Sequence, residues 1–171
     1  MKNGKLIALS SLSTALGVVF LVIGAYFPMV ELSALFMASV TVMLPLTKNS
    51  YKSALLAYGA TAILAFVFAV SRFHMSLLFL TFFGIHPIVN YFQMKSAKNL
   101  WFLFIIKCVW FIGVCFLMFY VFSMFIVEHE LINKILPLVI IVIGTLFFIV
   151  YDYLMIRFQK MAEQIVKRLG L

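Results

Sequence analysis

Two ionisable side chains, Lys107 and Asp152, sit inside long apolar runs. A charge in the bilayer core is costly and tends to be paired or to mark an ion path. Lys107 lies about eight residues inside one run and Asp152 about five residues from the end of another, which at about 1.5 Å per residue puts both roughly 8–12 Å below one boundary. Equal depth predicts a structural ion pair, with snorkelling to the interface or a proton relay as the other roles. A relay strings several ionisable groups together, and here there are two. Gly84-Ile85-His86-Pro87 interrupts another apolar run, and His86 and Asn90, four apart, share one helix face. Pro87 lacks an amide and clashes with the carbonyl of Phe83, so a kink is expected. His86 and Asn90 then either line a cavity, or His86 satisfies a carbonyl freed at the kink.

Other chemistry is missing from the pattern. The chain has no Gly-Lys-Ser/Thr phosphate loop. It has no His pair at metal-ligand spacing and no Ser-His-Asp or Cys-His set. No enzyme, metal site or cofactor is expected. Cys108 and Cys115 are two turns apart on one helix face, too far for a bridge, and read as inert buried thiols.

The elements that must position these residues follow from composition. Of 171 residues 66% are hydrophobic and 11% charged, against roughly 45–50% and about 25% in a soluble domain. Disorder is excluded by the same numbers. With about 20 residues per spanning helix, no room is left for a separate soluble domain. Pro, charge and turn residues divide the apolar runs into six spans at 6–26, 32–46, 53–70, 75–92, 100–127 and 135–156, followed by a basic tail, 157–171, suited to an interfacial helix. The expectation is an all-α integral membrane protein, a six-transmembrane-helix bundle forming one transmembrane domain over 1–171. The first run is read as a retained helix because no small-x-small cleavage site follows it. The second is short and either thins the bilayer locally or is partly re-entrant. No internal repeat is evident.

A net charge of +8 would suggest nucleic acid in a soluble protein. In this chain it orients the bundle instead. With the N-terminus cytoplasmic, ten basic residues (Lys2, Lys5, Lys48, Lys52, Lys95, Lys98, Arg157, Lys160, Lys167 and Arg168) fall inside and two, Arg72 and Lys134, outside. Both termini are therefore expected in the cytoplasm, with the protein multi-pass in the plasma membrane.

Small residues are unevenly placed. On the first helix Ala8, Ser11 and Ala15 form one stripe, while Ser10, Ser13, Thr14, Gly17 and Gly24 gather on the other side. In the third span Ala57, Thr61, Ala65 and Ala69 repeat every four residues, as in rows that let helices approach closely in lipid. Internal packing accounts for the third span. The first helix has two such faces, and the surplus one, Ala8, Ser11 and Ala15, is expected to dock a second protein.

Length, span number, orientation and the opening 5–16, KLIALSSLSTAL, together resemble the substrate-binding S components of energy-coupling factor (ECF) transporters. The resemblance implies docking on a transmembrane coupling subunit through an Ala-xxx-Ala-type motif, matched here by Ser11 and Ala15 with Ala8 one turn earlier. It implies two partner ATPase subunits and a vitamin or vitamin-like small molecule bound near the outer leaflet. The outward candidates for that pocket are Tyr26, Glu31, Arg72, His74, Tyr120, Glu128 and His129, each with a loop or interfacial-belt role as its alternative. The competing expectation is an accessory or assembly membrane subunit with no ligand of its own.

Overall fold

The computed structural model describes residues 2–96, 100–123 and 130–168, and every regular element among them is helical. Six helical stretches are long and apolar enough to cross a membrane: Gly4–Tyr26, Pro28–Leu46, Tyr51–Phe68, Phe73–Lys95, Leu100–Val121 and Pro137–Arg168. By length and composition these are the candidate spans of a multi-pass membrane protein. Glu128, His129, Lys98 and the end of the expected fifth span, 124–127, lie outside the described residues.

The chain forms two compact units, Met1–Lys95 with Met155–Leu171, and Ser96–Leu154. In the first, α1 (Lys2–Tyr26) is followed by a 3-10 turn, Pro28–Val30, then α2 (Glu31–Thr41) and α3 (Met43–Leu46). Phe27 is extended (φ −117°, ψ 89°), as the residue before a proline prefers, and this ends α1. α2 and α3 are one apolar stretch interrupted at Val42. The cause is Pro45, which has no amide to offer the Thr41 carbonyl four residues back. Ser13 Oγ, on α1, donates to that carbonyl at 2.7 Å.

Asn49 closes the next turn with φ 60°, a left-handed conformation that Asn tolerates better than most residues. Ser50 caps α4 (Tyr51–Phe68), its hydroxyl accepting from the Ser53 amide. α1 packs most extensively on α2 and α4. Its Ser/Thr/Gly side meets both: Thr14 Oγ1 donates to the Ala57 carbonyl at 3.4 Å, and a Cβ on Gly17 would come within 2.9 Å of Thr61 and 3.1 Å of Thr41. Ala57, Thr61, Ala65 and Ala69 are all buried, so the four-residue row of the third span is internal packing.

The fourth span is composite: α5 (Phe73–Leu78), a π-helical turn at Phe79–Phe83, and α6 (His86–Ser96). The Gly84 amide reaches back five residues to Phe79, at 2.7 Å, and so leaves the Leu80 carbonyl without its helical donor. Tyr58 of α4 donates its hydroxyl there at 2.6 Å. Gly84 makes this possible, because a Cβ on it would lie 2.6 Å from the Tyr58 ring. The break expected from Pro87 is thus an extra-residue turn that begins before the proline, a recurrent form of helix kink.

The second unit contains α7 (Leu100–Ser123) and the first part of α8 (Glu130–Arg168). Phe111 stacks on Phe148 with ring centroids 5.6 Å apart and on Phe147 at 5.9 Å. α8 runs without interruption through the expected end of span six and through the basic tail as far as Arg168. No Pro or Gly stands between 145 and 168 to break it, so the tail continues the helix instead of forming a separate one. At about 1.5 Å per residue this helix is far longer than a hydrocarbon core of about 30 Å.

Candidate functional site

Within the second unit, Lys107 Nζ donates to Asp152 Oδ1 at 2.5 Å, the side chains being 2% and 7% exposed. One turn along each helix, Phe111 meets Phe148. The pairs 107/152 and 111/148 keep the register of antiparallel neighbours, so the ion pair and the aromatic stack are successive rungs of one helix pair. Two opposite charges in direct contact, roofed by phenylalanine, make a satisfied pair with the properties of a staple. Cys108 and Cys115, on the same helix, are both free thiols of intermediate exposure.

Three of the outward candidates come together in the first unit. Arg72 Nη1 donates to Glu31 Oε2 at 3.2 Å, and His74 Nε2 lies 2.5 Å from Glu31 Oε1. One carboxylate thus holds two nitrogen bases from the turn and first residues of the composite span. The side chains are 21–34% exposed, enough for a solute to reach them. Tyr26 is exposed at the end of α1, and Tyr120 is exposed on α7, in the second unit. His86 and Asn90 are both buried, with the His86 ring 5.0 Å from that of Phe82. They belong to the interior of the kinked span, one turn past the π-helical segment.

The division of α1 is sharp. Leu9, Ser13, Gly17, Leu21 and Gly24 are buried, and Ala8, Ser11 and Ala15 are exposed. A Cβ on Gly24 would sit 2.8 Å from Ala34 and against the Met75 side chain, so the inward side is packed closely at Gly24 as at Gly17. The outward stripe is equally small and is exposed among the described residues.

One site was not anticipated from sequence. At the basic end of the first unit a cavity of about 640 Å³ is lined by Lys5, Lys48, Lys95 and Lys167, with Glu163 as the acid among them. Thr47, Asn49 and Tyr91 add polar groups, and Asn49 Oδ1 accepts from both the Tyr91 hydroxyl and Lys95. Sequence reasoning counted these lysines as loop charge. The left-handed Asn49, which turns its loop back on α6, was the local signal of a built feature. Gln159 was also missed. It is fully buried one turn from Glu163 on α8, and neither amide atom has a hydrogen-bond partner among the described residues.

Among the described residues no group of three His, Cys, Asp or Glu side chains could hold a metal ion. Compared with protein-family models, curated proteins and solved structures, the chain matches none.

Proposed function

We propose that the chain is the substrate-binding membrane subunit of a small-molecule uptake transporter of the ECF type, taking a vitamin or vitamin-like ligand and energised by partner ATPases. The observation that carries this reading is the two-sided first helix. Without a hydrophobic driving force between helices in lipid, small residues mark where backbones approach closely. The inward side already serves α2 and α4 through Ser13, Thr14 and Gly17. Ala8, Ser11 and Ala15 repeat the same composition on a side that is exposed among the described residues, as a surface for a coupling subunit requires. The absence of a phosphate loop in the sequence fits an energy source in other chains. The bias of Lys and Arg to one end supports a cytoplasmic position for that end and both termini, with the Glu31, Arg72 and His74 cluster then at the outer face.

The accessory-subunit reading is favoured by one feature, that both Glu31 carboxylate oxygens are already engaged. Two experiments separate them. A photoreactive residue at position 11 should cross-link to a polytopic partner in native membranes, whereas one at position 13 should react only within the chain, at α2. A thermal-shift screen of the purified protein against water-soluble vitamins and their precursors should find a ligand. A cross-link from position 11 without any ligand-dependent shift would assign the accessory role, and a position-11 residue that labels lipid alone would remove the docking surface.

A further inference from the structure

The four cavity lysines come from four separate segments: the first turns of α1 (Lys5), the α3–α4 loop (Lys48), the end of α6 (Lys95) and the last turn of α8 (Lys167). Like charges brought together from four segments repel, and a fold holds such a cluster at lower cost when an anion occupies it. Against them stands a single carboxylate, Glu163, so the lining keeps a net excess of three positive charges. The arrangement is fixed as well as charged. Asn49, held at φ 60°, accepts from Lys95 and from Tyr91 at once, and the Lys95 ammonium also lies 4.6 Å from the centroid of the Tyr91 ring. The amino ends of α1 and α4 lie at this end of the unit, adding their partial positive charge. Thr47 and Asn49 offer hydrogen-bonding groups for hydroxyls, and about 640 Å³ is within the usual range for a small-molecule site.

Every lining segment is the end of an apolar span or the loop beside it, so the cavity lies at the level of the lipid head groups. We propose that it binds a phosphate-bearing anion, either the phosphoglycerol head group of an anionic lipid or a soluble phosphate monoester of similar size. Basic pockets between spanning helices are suited to this chemistry. The site is distinct from the outer Glu31 cluster, which lies at the other end of α1, about 30 Å away along a 21-residue rise. It also does not depend on the transporter reading.

The test uses the whole purified chain in a neutral detergent and calorimetric titration with three probes: dihexanoyl phosphatidylglycerol, dihexanoyl phosphatidylcholine and glycerol 3-phosphate. Phosphatidylglycerol should bind and phosphatidylcholine should not. Each lysine near an anionic head group contributes about fivefold in affinity. Lys48→Gln with Lys167→Gln should therefore weaken binding on the order of twentyfold, both side chains being exposed and replaceable without loss of fold. Lys52→Gln with Lys160→Gln, exposed and outside the cavity, should leave affinity within about twofold of wild type. Glycerol 3-phosphate binding as tightly as the lipid would assign a soluble ligand, and binding that needs the acyl chains would assign a lipid. Binding of neither anion overturns the proposal, as does an equal loss in the cavity and rim variants, which would reduce the effect to general surface charge.

Discussion

Removing one partner of the Lys107–Asp152 pair should destabilise the protein far more than removing both. With the side chains 2% and 7% exposed and in contact at 2.5 Å, neither charge has water to return to. In Asp152→Leu the ammonium must stay charged without its partner or lose its proton. From a reference pKa near 10.4, neutralising it at pH 7 costs about 4.6 kcal/mol, and protonating a stranded carboxylate in Lys107→Met, from about 3.9, costs about 4.2 kcal/mol. These figures cap the ionisation part of each single loss, and they are of the size of the roughly 3–5 kcal/mol found when buried pairs are broken. Lys107→Met with Asp152→Leu removes both charges and offers apolar side chains of similar reach to the Phe111–Phe148 stack one turn away. It should lie within about 1 kcal/mol of wild type, giving a coupling of about 5 kcal/mol or more. The assay is equilibrium unfolding in mixed micelles with rising dodecyl sulfate, followed by loss of tertiary signal, on all four proteins. If Asp152→Leu alone falls by less than about 1 kcal/mol, or if the double variant is worse than either single one, the pair is not a staple.

Ser13→Ala should cost about 1–3 kcal/mol, because it leaves the Thr41 carbonyl without a donor in the protein interior. Measured by the same unfolding assay, that cost should shrink in a Pro45→Ala background, where residue 45 regains an amide. Tyr58→Phe should lose a similar amount through the Leu80 carbonyl, and hydrogen exchange should rise at the π-helical turn and stay unchanged in α7. Gly84→Ala should be worse than a helical Gly→Ala exchange ordinarily is, since the new Cβ meets Tyr58 at 2.6 Å and Phe79 at 2.7 Å. A stabilised Gly84→Ala protein would show that the tyrosine does not depend on that opening. Glu31→Gln should move stability by less than about 1 kcal/mol, its partners being partly solvated.

How far the sequence carried this picture depended on whether a feature is set by local spacing or by distant partners. Lys107 and Asp152 were legible because depth in a membrane follows from residue count alone, and two charges at one depth seek each other. The two sides of α1 were legible because small residues three and four apart fall on one face, and burial divides Ser13 and Gly17 from Ser11 and Ala15 as that geometry requires. Pro87 disclosed a break in the fourth span, but a proline says where an amide is lost and not where the ladder absorbs an extra residue. That lies upstream at Phe79–Phe83, under Tyr58. At Pro45 the loss of an amide likewise interrupts the second span, and the rescuing donor lies 32 residues earlier at Ser13. The basic cavity was illegible because it needs four segments together, and a count of loop charge assigns a side of the membrane without bringing its lysines to one place. The length of α8 was missed because charged residues suggested a boundary, whereas a run free of Pro and Gly carries a helix across it.

The central claim, that α1 has one face for its own bundle and another for a partner, is tested most directly by comparing Ala15→Trp with Gly17→Trp. Gly17 is enclosed by the Thr41 and Thr61 side chains, within 3.1 Å of any added Cβ, so an indole there must push α2 and α4 away from α1. Overpacking of that kind costs roughly 1–3 kcal/mol or more. Ala15 is exposed, and an indole there meets lipid or a partner. The measurement is the unfolding midpoint of each purified variant, set beside the yield of any polytopic membrane protein that co-purifies with it from native membranes. The account predicts that Ala15→Trp keeps the wild-type midpoint and loses the partner, while Gly17→Trp unfolds early. An Ala15→Trp protein that unfolds while Gly17→Trp is harmless would reverse the two faces, and two variants that both fold and both retain the partner would contradict the docking surface itself.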